Sequence, residues 1–221
     1  MILVPYKKND RQYLTFVPNG PNVTNMTLGR PIGFDPDEAL VAAMQVFWSK
    51  GYKQTSLQDL LKVMNLAKSS FYQTFGSKHQ LFKKCITHYR QTIAEDMQAE
   101  LTTANSGLHF IEHFFDAILK DTKTLAERRG CLILNSANEF SQSDAEIAAL
   151  IAEGIDQFIH ILMLAVKRAQ KEGDIPPNRS ADSMAPYLFS CMSGLKTMVK
   201  AGVASKTLKH TIDVVLDTCK R

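Results

Sequence analysis

From Asp35 to the C-terminus the apolar residues recur at helical spacing, and no run alternates apolar with polar as a half-buried strand would. That pattern restricts the chain to an all-α fold. Start and stop signals divide it. Asp35-Pro36-Asp37-Glu38 offers a capping carboxylate, a proline at the first helical position and acids at the positive helix end. Leu40, Ala43, Met44 and Phe47 follow on one face, and Gly51 supplies the stop. Thr55-Ser56-Leu57-Gln58 has capping-box spacing and opens a second helix bearing Leu57, Leu60, Leu61 and Met64. Asn65 breaks it, since asparagine tolerates the left-handed backbone of a tight turn. A third helix is expected over Lys68 to Phe75, with Phe71 and Phe75 inward and Gly76 after it. Ser77-Lys78-His79-Gln80 is another capping box, opening a longer helix with Leu81, Phe82, Cys85, Ile86 and Tyr89 inward.

Further helices are expected over 107–123, 125–129, 132–140, 144–172, 180–201 and from Ser205 to the end. Residues 1–29 differ. Pro5, Pro18, Gly20 and Pro21 punctuate them without helical period, so they read as a mobile extension, with Met26 a candidate start. The expected organisation is therefore 1–29 as extension, 30–76 as a three-helix bundle and 77–221 as a larger helical domain.

Two short helices joined by a tight turn are the helix-turn-helix arrangement. Leu60, Leu61, Met64, Leu66 and Phe71 then pack against the first helix. Lys68, Ser69, Ser70, Gln73 and Thr74 are left outward, with no acid among them, as a surface entering a major groove requires. Charge points the same way. The net +4 divides into 12 basic against 5 acidic residues through Arg90, or +7, and −3 beyond it. From Arg30 to Arg90 alone the balance is +5, the charge each subunit would present to a DNA backbone. The longest apolar stretch, Phe158 to Val166, is interrupted by His160 and falls short of the ~20 residues a membrane span needs. No secretory signal is visible, and Cys85, Cys131, Cys191 and Cys219 form no Cys-x-x-Cys pair, so a reducing cytoplasm is expected.

Residues 29–89 resemble the N-terminal domain of the TetR family of bacterial transcriptional regulators. The resemblance rests on Phe47, Gly51 and Tyr52 ahead of Thr55-Ser56, then Phe71-Tyr72, Phe75, Ser77-Lys78 and Leu81-Phe82. Asn65 stands where the family usually has glycine. The phrases RGCLILNSANE at 129–139, RAQKEGDI at 168–175 and SGLKTMVKAG at 193–202 resemble ligand-domain segments of one large subgroup. The resemblance implies that Thr55, Tyr72 and Lys78 hold DNA phosphates and that Lys68, Ser69, Ser70 and Gln73 face bases. Lys68 suits guanine and Gln73 adenine, while Arg30 reaches a phosphate or the minor groove. It further implies double-stranded operator DNA as partner, a homodimer matched to a palindrome, and a small-molecule inducer that releases a repressor, with no cofactor. Phe114, Ile118, Cys131, Asn135, Asn138, Phe158 and Phe189 mix apolar bulk with amides, as an inducer site would. Ser190, Gly194, Leu195, Met198, Ile212, Val215 and Leu216 are the expected dimer contacts.

Two alternatives arise from single motifs. His109-Phe110-Ile111-Glu112-His113 spells H-x-x-E-H, an inverted zinc-enzyme motif that lacks a third ligand, and it is the basis for a metal-dependent enzyme. Cys131 follows Arg128, Arg129 and Gly130, and nearby positive charge favours a thiolate, as an electrophile or redox sensor requires.

Overall fold

The computed structural model describes residues 34–122, 128–140 and 143–220. The extension 1–29 and Arg30 lie outside these residues, as does most of the helix expected over 125–129. Arg128 and Arg129, at its end, are not helical. Among the described residues there are nine α-helices and no strand: α1 (Pro36–Lys50), α2 (Leu57–Met64), α3 (Lys68–Phe75), α4 (Lys78–Thr103), α5 (Gly107–Lys120), α6 (Leu132–Phe140), α7 (Ala145–Glu172), α8 (Ala181–Lys200) and α9 (Ser205–Lys220).

The local signals act largely as read. Asp35 accepts from the Asp37 amide at 2.8 Å and opens α1. Gly51 closes it at φ 81°, a backbone that favours glycine. The box at α2 is shifted by one residue from the expected one. Ser56 caps, its hydroxyl accepting from the Asp59 amide at 3.0 Å while the Asp59 carboxylate accepts from the Ser56 amide at 2.9 Å. Asn65 takes φ 52° and is the one non-glycine residue at positive φ among those described. The Leu66 amide then donates to Leu61 O at 3.0 Å, which turns the chain directly into α3. Ser77, Ser106, Asp144 and Ser180 cap α4, α5, α7 and α8.

α1 packs on α2 and α4, and α3 rests on the start of α4. Phe71, Leu60 and Phe47 are all at or below 1% exposure at the centre of this head. Beyond it, α7 is the axis of the body, packed on α4, α5, α6 and α8. Contrary to the expectation from uninterrupted apolar runs, α7 is long and apolar enough by length and composition to cross a membrane. Its place explains the composition: Ile147, Ile151, Phe158, Ile161, Leu162 and Val166 are buried against the four surrounding helices.

Ion pairs stitch α4 to α7 along their shared length. His79 Nε2 lies 2.6 Å from Asp144, Lys83 Nζ lies 2.6 Å from Glu146, and Arg90 pairs with Glu153. The Ile147 amide first, and His79 second, hold the Asp144 carboxyl below its ordinary range, and Lys83 does the same for Glu146. Carboxyls depressed by folding contribute stability that is complete above their unfolded pKa and is lost as pH falls through the folded one. Thermal midpoints should therefore fall as pH drops below about 4, and Asp144→Asn should make the fall shallower. An equally steep acid limb in that variant would remove this pair from the account.

Candidate nucleic-acid interface

The outer face of α3 is the site. Lys68, Ser69, Tyr72 and Gln73 are exposed and Ser70 is half-buried. The inner face is Phe71 and Phe75, both buried, so the helix is held by two aromatic rings and projects the rest outward. Tyr72 is 46% exposed and packs edge-on to Phe71 at 5.4 Å, leaving the rest of its ring to solvent. α3 carries no acidic residue in its first turn and Lys68 stands there, so phosphate meets no like charge.

Lys78 stands at the first position of α4, three residues after the end of α3. Its ammonium lies 4.1 Å over the Tyr52 ring, a cation–π contact. Partial burial pulls the Lys78 pKa down, while the nearby Glu139 carboxylate opposes that shift. Burial raises the Tyr52 phenol, with Asp144 adding to it.

Thr55 does not fit the role the resemblance gave it. It is 1% exposed, and its hydroxyl donates to Gly51 O at 2.7 Å, so the side chain closes the α1–α2 turn instead of facing phosphate. The exposed hydroxyl at the start of α2 belongs to Ser56, one residue on.

The expected inducer-site residues divide. Phe114, Ile118, Cys131, Phe158 and Phe189 are buried, and Phe158 meets Phe189 at 6.0 Å across α7 and α8. Asn138 is exposed on the outer face of α6 and so is not with them. Asn135 is half-buried and already bonded, donating to Arg129 O at 2.8 Å and accepting from Lys200 at 3.1 Å. Cys131 is 4% exposed and accepts from the Tyr89 hydroxyl at 3.7 Å. The two arginines beside it point elsewhere, Arg128 to Thr122 O and Arg129 to Gln45.

The expected dimer contacts divide as well. Leu195, Ile212 and Val215 are at or below 3% exposure and fill the core of one chain. Helical spacing shows that α8 and α9 each have an apolar face, but not whether that face meets its own chain. Ser190 and Gly194 are exposed, Met198 and Leu216 half-buried. Exposed Tyr187 and Val214, which the spacing did not mark, stand with them on α8 and α9.

The H-x-x-E-H motif is pulled apart by its partners. Glu112 pairs with Lys220 at 2.8 Å, His113 pairs with Glu100, and His109 is exposed. Among the described residues no group of three or more His, Cys, Asp or Glu side chains is arranged to hold a metal ion.

A short exposed helix with a cationic, hydroxyl and amide face, set on a three-helix head, defines a helix-turn-helix protein. The comparisons place it more narrowly. Residues 39–85 match the model for bacterial regulatory proteins of the tetR family, and residues 107–215 match the tetracyclin repressor-like C-terminal domain. The chain belongs to the TetR family of bacterial transcriptional regulators. It is 26% identical to the HTH-type transcriptional repressor ComR of Escherichia coli over 85% of this chain and 90% of the relative. It is 27% identical to the HTH-type transcriptional regulator YezE of Bacillus subtilis, over 86% of this chain and 98% of the relative. Among solved structures it is similar to a cysteine mutant of the TetR family regulator CifR complexed with 26-bp double-strand operator DNA. That likeness has a TM-score of 0.75, 27% identity, and coverage of 86% of this chain and 100% of that one.

Proposed function

We propose that this chain is a cytoplasmic, homodimeric repressor that binds a palindromic operator through α3 and is released by a small molecule held among α5 to α8. The observation that carries the reading is the α3 face: Lys68, Ser69 and Gln73 exposed on a helix anchored by Phe71 and Phe75. Lys68, Ser69, Ser70 and Gln73 face bases; Lys78 and Tyr72 hold phosphates. A two-fold dimer through the exposed faces of α8 and α9 places two such helices on successive half-sites. An inducer acts by binding one spacing of the two heads better than the other. The buried aromatic set of Phe114, Phe158 and Phe189 favours an apolar inducer. Relatives named as repressors, and a structural neighbour solved on operator DNA, support the reading.

The test compares two variants on a duplex enriched from a random-sequence pool by the wild-type protein. Lys78→Ala should weaken binding to this duplex and to unrelated duplexes alike, and lower the slope of log K against log salt by about one. Gln73→Ala should leave that slope unchanged and lose about 1–3 kcal/mol of discrimination at one base pair of each half-site. A sequence-selective effect of Lys78→Ala, or a uniform one of Gln73→Ala, would reverse these roles.

A further inference from the structure

The phrase RGCLILNSANE, at 129–139, resolves into contacts that cross from the body to the head. At its start the Arg129 guanidinium donates to Gln45 of α1 and lies 5.8 Å over the Trp48 ring. At its end the Glu139 carboxylate accepts from the amides of Tyr52, at 3.2 Å, and Lys53, at 3.1 Å. Those amides follow the C-terminus of α1, where the chain turns toward α2. Gly51 is fitted to the same contact. A Cβ there would lie 2.7 Å from Glu139 Oε1 and would displace the carboxylate from its present position. Tyr52, held by its own amide, packs on Phe140 of α6 at 5.0 Å and presents its ring to Lys78.

We propose that Glu139 is a positioning residue for DNA binding: by clamping the Tyr52 and Lys53 amides it fixes the ring that supports Lys78. The proposal rests on the reading of Lys78 as a phosphate contact. Its logic gives a sign opposite to that of charge. Glu139 is an anion close to Lys78, so by Coulomb's law alone its neutralisation strengthens binding to a polyanion. A clamp predicts the reverse, because Lys78 loses its fixed support while the net charge becomes more favourable.

The experiment measures affinity of the full-length protein for the enriched duplex, for wild type, Glu139→Gln and Glu139→Ala, each alone and combined with Lys78→Ala. Circular dichroism and thermal melting of each variant accompany it. Glu139→Ala should weaken binding about tenfold, the loss of charge-assisted bonds. Glu139→Gln, which keeps an oxygen acceptor for one amide, should fall between. In the Lys78→Ala background both effects should shrink to less than twofold, because Glu139 then has nothing to position. Unchanged or tighter binding by both single variants overturns the proposal, as does full additivity with Lys78→Ala. Loss of the folded state in both variants overturns it too, since the clamp then serves the fold alone. Failure of wild type to enrich any duplex instead removes the DNA-binding reading itself, so the two failures are separable.

Discussion

Replacing Phe71 by alanine is expected to collapse the preference for the enriched duplex to the level of a random one. Phe71 is 0% exposed and is the ring by which α3 is seated in the head. Removing a buried phenylalanine costs about 3–5 kcal/mol, the lost transfer energy plus the cavity left behind. α3 is only 8 residues long, below the length at which a helix holds itself together in water, so its order depends on this packing. Non-specific binding, carried by the +5 of residues 30–90 with Lys78 among them, should survive better than specific binding. Phe71→Leu, which keeps most of the volume, should retain specificity. Retained discrimination in Phe71→Ala would show that α3 is positioned by something other than its inner face.

The second large effect is predicted at Gly107, where two rules oppose each other. Glycine is a poorer helix former than alanine, by about 1 kcal/mol in a helix interior and by less at the first position of α5 where Gly107 stands, so propensity alone makes Gly107→Ala neutral to stabilising. Here α5 meets α7 backbone to backbone. A Cβ at Gly107 would lie 2.4 Å from Ala165 O and 2.5 Å from the Ala169 amide nitrogen. The Gly107 amide also donates to Glu172 at 2.6 Å, and Arg168 ties the same end of α7 to Leu101 O and Ala104 O, at 2.5 and 2.9 Å. The helices must part to admit a methyl group, at a cost of about 3 kcal/mol. In a chain of this size that lowers the melting midpoint by roughly 6–12 °C. A midpoint equal to or above wild type would mean that α5 and α7 do not approach as described.

What could be read from the sequence and what could not follow from the range of the interactions. α1, α2 and α3 are specified locally: Asp35, Asn65, Gly51 and Gly76 each act on neighbours within a few residues, and their positions are legible one by one. The recognition face follows, because the inward Phe71 and Phe75 leave Lys68, Ser69 and Gln73 no other side. A one-residue ambiguity defeated the reading at Thr55-Ser56, where either hydroxyl has capping spacing and only burial separates them. Leu195, Ile212 and Val215 failed differently. Helical period marks an apolar face without saying whether its own chain or a second one covers it. The H-x-x-E-H motif dissolved because Lys220 and Glu100, from other elements, pair with its members. Glu139 is the clearest case of long range: its amide partners lie 87 and 86 residues away, a pairing no local pattern encodes. The family phrase ending on Glu139 was the only trace of it.

The central claim is that α3 reads sequence and that two copies do so together. It is tested most directly by incubating the full-length protein with a random-sequence duplex pool at moderate salt and sequencing what is retained over successive rounds. An inverted repeat should be enriched. Its half-sites should lie a whole number of helical turns apart centre to centre, in steps of roughly 10–10.5 bp. A pool that stays at its starting composition, with the protein folded throughout, would contradict it.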